Sequence, residues 1–89
     1  MEIELTQADI DKAIQTYANV QDTIRDVSDI CPIAQALERT LGVKVIVGIA
    51  VFWLNSRTID LPPEVRRVTM LLHPKWNEIK PFTFTIHEH

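Results

Sequence analysis

Cys31 stands directly before Pro32, and its thiol is the first group in the chain that could do chemistry. Proline is best tolerated in the first turn of a helix, where its missing N–H would be unpaired anyway, so this pair marks a helix start. The positive end of a helix dipole favours a thiolate and would sharpen the sulfur as a nucleophile. A nucleophile also needs a base. Only His73, His87 and His89 could serve, and none sits in a His-x-Asp or His-x-Asn arrangement. The expectation is therefore structural: a small apolar side chain buried where helix meets sheet, as lone thiols usually are. His87 and His89 lie two apart, so on a strand they would share a face and could share Zn²⁺ or Ni²⁺. The third ligand is missing, which leaves them a weak metal candidate, and no cofactor is expected.

Arg66 and Arg67, with Lys75, Trp76 and Lys80 beyond them, make up the basic cluster that has an aromatic. Such a set can contact phosphates and stack a base. A formal net charge of −3 and a pI near 5.5 make a poor general nucleic-acid binder. Nucleic acid is thus disfavoured, while a phosphate-bearing nucleotide gripped by an oligomer that pools its bases is the alternative ligand. Trp76 lies in the polar stretch Pro74-Lys75-Trp76-Asn77-Glu78, so it is either an interface anchor or a lid over the core. Trp53, in an apolar run, is expected in the core. The chain has no Gly-rich phosphate loop, no Cys-x-x-Cys and no Gly-x-Ser-x-Gly. No nucleophile, base and oxyanion site can be assembled, so the chain is not expected to be an enzyme.

Charge is unevenly placed. Residues 1–42 carry eight acids against three bases, and the remainder carries four against six. Asp22, Asp26 and Asp29 in the acidic half are candidates for contact with a basic partner. The other reading is an ordinary solvated helix face.

These groups need elements to hold them. Glu2–Leu5 reads as a short strand, and Thr6-Gln7-Ala8-Asp9 as a capping box with Leu5 and Ile10 placed for a hydrophobic staple. Ile10, Ala13, Ile14, Tyr17, Val20, Ile24 and Val27 recur at helical spacing, giving a first helix from 7 to at least 18, extensible to about 26. A second helix runs over 32–41 and ends at Gly42, where a left-handed residue is wanted. Val43 to Leu54 is too long for one strand and is divided by Gly48 into 43–47 and 49–54. Asn55-Ser56 is a turn, and 57–61 a further strand. Leu61-Pro62-Pro63-Glu64 opens a third helix, with Val65, Val68 and Leu72 on its apolar face. His73-Pro74 closes it. Phe82, Phe84 and Ile86 alternate with polar neighbours in the clearest strand of the chain. The order β-α-α-β-β-(β)-α-β predicts an α+β two-layer sandwich. Its mostly antiparallel sheet has three to four strands, helices on one face and the C-terminal strand inside the sheet.

The segment Cys31-Pro32-Ile33-Ala34-Gln35-Ala36-Leu37 resembles a stretch shared by small uncharacterised phage and prophage proteins. It follows an N-terminal strand and helix like Ile3-Glu4-Leu5-Thr6 to Ile14. Leu61-Pro62-Pro63-Glu64-Val65 and Pro81-Phe82-Thr83-Phe84 extend the likeness over about two-thirds of the chain. The chain departs from that pattern in a longer stretch between Ile14 and Cys31. The resemblance carries no activity; it implies a phage-infected bacterial cytoplasm. In that setting the leading expectation is a non-catalytic protein-interaction module that binds and inhibits a host protein, such as a component of an anti-phage defence like a CRISPR complex.

Eighty-nine residues suit a single domain, 1–89. The opening Met1-Glu2-Ile3-Glu4 is acidic where a secretory leader would be basic. Val45 to Leu54, the longest apolar stretch, is ten residues against the roughly 20 that span a bilayer. A soluble, cytoplasmic chain with no membrane partner is expected. Large groups on both parities of 43–54 predict an apolar sheet face left uncovered, and hence a homodimer. The alternative is that a full-length first helix covers that face.

Overall fold

Thr6 starts the first helix by the exchange its neighbours anticipate. Its hydroxyl accepts the Asp9 N–H at 3.2 Å, and its own N–H donates to Asp9 Oδ2 at 3.0 Å. The computed structural model describes residues 1–19, 30–71 and 73–87. Within them, β1 is Glu2–Leu5, α1 Gln7–Ala18, α2 Pro32–Leu41, β2 Ile46–Val47, β3 Val51–Leu54, β4 Arg57–Asp60, α3 Pro63–Thr69 and β5 Phe82–Thr85. A 3-10 helix spans His73–Glu78. The α+β class stands, with its strands antiparallel throughout. No helix among the described residues is long and apolar enough to cross a membrane.

α2 is the hub. Cys31 caps it, its sulfur accepting the Ala34 N–H at 3.4 Å, and Gly42 closes it at φ 74. Pro32 through Leu37 are all buried, so the first turns of α2 are enclosed on every side rather than laid on one sheet face. Cys31 is buried with them, as its structural reading anticipates. Arg39, in the last turn of α2, reaches back across the fold. Its Nε and Nη2 donate to the two oxygens of Asp9 at 3.0 Å each, and Nη2 also donates to the Glu4 carbonyl at 2.8 Å. This fork locks α2 to the β1–α1 corner. Burial alone would push the Asp9 carboxyl up. The Arg39 hydrogen bonds, the Thr6 N–H and hydroxyl, and the Arg39 charge outweigh it and hold the group below its ordinary 3.8.

The single sheet expected from the alternation is instead two. Among the described residues β1 pairs only with β5, while β2, β3 and β4 form a separate three-stranded meander. The C-terminal strand is thus, among the described residues, one half of a two-stranded ladder, with no second neighbour. On the edge of β1 away from β5, Arg39 caps the Glu4 carbonyl. Strand ends are shorter than the apolar run suggested, since Ile49-Ala50 make the first turn of the meander and Gly48 closes it onto Val51. α3 stops at Thr69, earlier than His73-Pro74. Pro74 lies instead in the first turn of the 3-10 helix, where its missing N–H costs nothing. Val20, Ile24, Val27 and Leu72, and with them the extension of the first helix toward 26, lie outside the described residues.

Candidate functional site

The meander sorts its side chains by hairpin pairing. Gly48 N–H donates to the Val51 carbonyl at 2.8 Å, which folds the chain back across Ile49-Ala50. Ile46 then lies opposite Trp53, and Val47 opposite Phe52, so residues of opposite parity share a face. Val45, Val47, Phe52 and Ile59 turn inward and are buried. Ile46 and Trp53 turn outward, 53% and 41% exposed. The core position expected for Trp53 is therefore corrected. A run that had continued as one strand would have kept Val47 and Trp53 together; the turn separates them.

Gly48 supports the outer face. A Cβ there would stand 3.1 and 3.2 Å from two Trp53 ring carbons, so the indole lies over the bare glycine backbone. At the turn, the Thr69 hydroxyl reaches the Ile49 carbonyl at 2.7 Å, tying the hairpin tip to the end of α3. Ile49 on one side of this tie and Met70 and Leu71 on the other are all exposed. Exposed apolar side chains thus occur on the outer face of the meander, at Ile46 and Trp53, at its first turn, at Ile49, and at the end of α3 tied to that turn, at Met70 and Leu71. Apolar runs on both parities hint at such a face, but only the hairpin register decides which residues form it.

The other candidates are placed differently. Trp76 is buried, 1% exposed, and is not a surface anchor. Its ring meets Tyr17 edge-on at 5.8 Å, and its Nε1 donates to the Leu71 carbonyl at 3.3 Å. The 3-10 helix turns the indole inward while its polar neighbours Lys75, Asn77 and Glu78 stay exposed, which is why a polar stretch concealed a core residue. The basic cluster is not assembled around it. Arg66 spends its Nε on the Leu61 carbonyl at 2.8 Å, and Lys75 pairs with Glu78 at 3.4 Å. Arg67 and Lys80 are exposed. Asp22, Asp26, Asp29 and His89 lie outside the described residues. His87 lies beyond the end of β5, and no group of three metal-ligating side chains occurs among the described residues.

Comparison with protein-family models, curated proteins and solved structures returns no match.

Proposed function

We propose that this chain is a small non-catalytic protein-interaction module, and that the outer face of the meander is its working surface. The observation carrying this reading is the outward pair Ile46–Trp53, with Ile49, Met70 and Leu71 also exposed where the hairpin turn is tied to the end of α3. Monomers rarely leave so many large apolar side chains together in water, and tryptophan is enriched where binding energy concentrates. The phage-type resemblance supports a host protein as the partner and inhibition as the outcome, in the bacterial cytoplasm. Homodimerisation through the same face is the competing use of it. The alternative is an oligomer that sequesters a phosphate-bearing nucleotide with Arg66, Arg67 and Lys80; of these, Arg66 already donates its Nε to the Leu61 carbonyl, while Arg67 and Lys80 are exposed.

Trp53→Asp separates these readings while sparing the core. The variant should stay folded, losing about 1–2 kcal/mol from the strand and from the indole's rest on Gly48. For a host partner, a bacterial protein retained by the parent should be lost from the variant. For a dimer, light scattering should give twice 10.2 kDa for the parent and 10.2 kDa for the variant. Identical partners and identical mass in both proteins would remove the face from consideration.

A further inference from the structure

The β1–β5 ladder has one edge capped by Arg39 at the Glu4 carbonyl and, among the described residues, one bare edge. The Met1 ammonium donates to the Ile86 carbonyl at 2.9 Å, and the Ile86 N–H donates to the Met1 carbonyl at 2.8 Å. Met1 and Ile86 are thus a hydrogen-bonded pair, and such pairs alternate along an antiparallel ladder. The register makes Ile3–Phe84 and Leu5–Phe82 the next bonded pairs. The backbone N–H and C=O groups of Thr83 and Thr85 therefore point away from β1. Among the described residues β5 pairs with no other strand.

That bare edge borders a cleft of about 530 Å³. Thr83 and Thr85 line it from β5, and Asp60, Pro62, Pro63 and Glu64 line it from the β4–α3 connection. The two prolines have no N–H to offer, so an extended segment entering the cleft finds its backbone partners on β5. Asp60 and Glu64 make the facing wall acidic, and His87 stands at the end of the edge.

We propose that this cleft receives an extended, basic segment of a protein partner, which adds to β5 as a third strand of the β1–β5 sheet. The site is separate from the apolar face of the meander and does not depend on it. Backbone bonds to Thr83 and Thr85 give affinity without regard to side chain, and Lys or Arg on the incoming segment meets Asp60 and Glu64. An acidic segment meets like charge. A second copy of this chain would bring its own acidic wall against the first.

The test uses the whole chain with the peptide Lys-Val-Lys-Val-Lys-Val-Lys, its Glu-for-Lys counterpart, and a Lys version N-methylated at alternate residues. In NMR titrations the Thr83 and Thr85 amides should shift with the Lys peptide and gain protection from hydrogen exchange. The Lys peptide should bind at least about tenfold tighter than the Glu peptide at low salt, and this preference should fall as salt rises. Asp60→Asn with Glu64→Gln should abolish the preference. Thr85→Pro removes an N–H that β1 does not use, so it should abolish binding without altering circular dichroism. N-methylation should block the peptide even if that variant folds poorly. The proposal is overturned if Thr83 and Thr85 stay unshifted at millimolar peptide. Equal binding of the Lys and Glu peptides, or of the N-methylated one, overturns it too, as does edge protection that rises with protein concentration alone, the mark of a second copy.

Discussion

Replacing Trp76 with alanine should lower folding stability by about 3–5 kcal/mol, the usual loss for a fully enclosed indole. The side chain is almost wholly buried, packs edge-on against Tyr17 and satisfies its N–H on the Leu71 carbonyl. It joins the 3-10 helix to α1, so the cavity left behind lies between elements and cannot easily collapse. A domain of this size holds a net stability of only about 4–13 kcal/mol, so the variant should be largely unfolded near its lower end. Denaturant titration measures the loss directly. Trp76→Phe should recover most of it, since it keeps an aromatic face and gives up the Nε1 bond. Trp53→Ala is the contrasting variant: the same residue type, exposed, with a loss under about 1 kcal/mol. Equal losses at the two tryptophans would contradict the burial assigned to each.

Acid should weaken the clasp between Asp9 and Arg39. Asp9 titrates below 3.8 in the folded chain and near 3.9 when unfolded, so the unfolded state binds its proton first as pH falls. The stabilisation is therefore complete above about pH 5 and is lost as pH falls through the lowered folded value. Urea midpoints of the parent should stay level down to about pH 5 and then decline, and Asp9→Asn should lack this part of the decline. Arg39→Met strips the buried carboxylate of its two guanidinium bonds and leaves Thr6 as its donor. The cost should be about 1–2 kcal/mol near neutral pH, smaller than for a wholly buried pair because Arg39 is half-exposed. A parent and an Asp9→Asn variant with parallel pH profiles would show that the clasp contributes nothing.

What could be read from the chain was local. Thr6 to Asp9, Cys31-Pro32 and Gly42 announce helix ends because capping is settled within four residues, and all three places behave as read. The 82–86 alternation marks a strand for the same reason. Arg39 gave no such sign: its carboxylate partner lies 30 positions away and is brought to it only when α2 packs on the β1–α1 corner. Neighbour polarity misplaced Trp53 and left Trp76 open between an interface anchor and a lid over the core, of which the core position is the one found. Trp53 sits among apolar residues but on the outward side of a hairpin, and Trp76 sits among polar ones on a tight helix that turns it inward. The candidate surface was visible only as an excess of large side chains over 43–54. Its membership depends on the Ile46–Trp53 register and on the Thr69 tie, neither of which spacing encodes.

The β1–β5 ladder joins positions as far as 85 apart, whereas the meander closes its hairpins over two-residue turns. Closing so long a loop costs about 2 kcal/mol more entropy than closing one of about ten residues. Loop closure therefore predicts that the meander forms early in folding and the ladder late, an order that kinetics must test. Ile59→Val should slow refolding, while Phe84→Leu should chiefly speed unfolding, a contrast that chevron kinetics resolves. On that order the bare edge of β5 comes into being at the end of the folding reaction, and a strand that pairs there selects chains that have completed it.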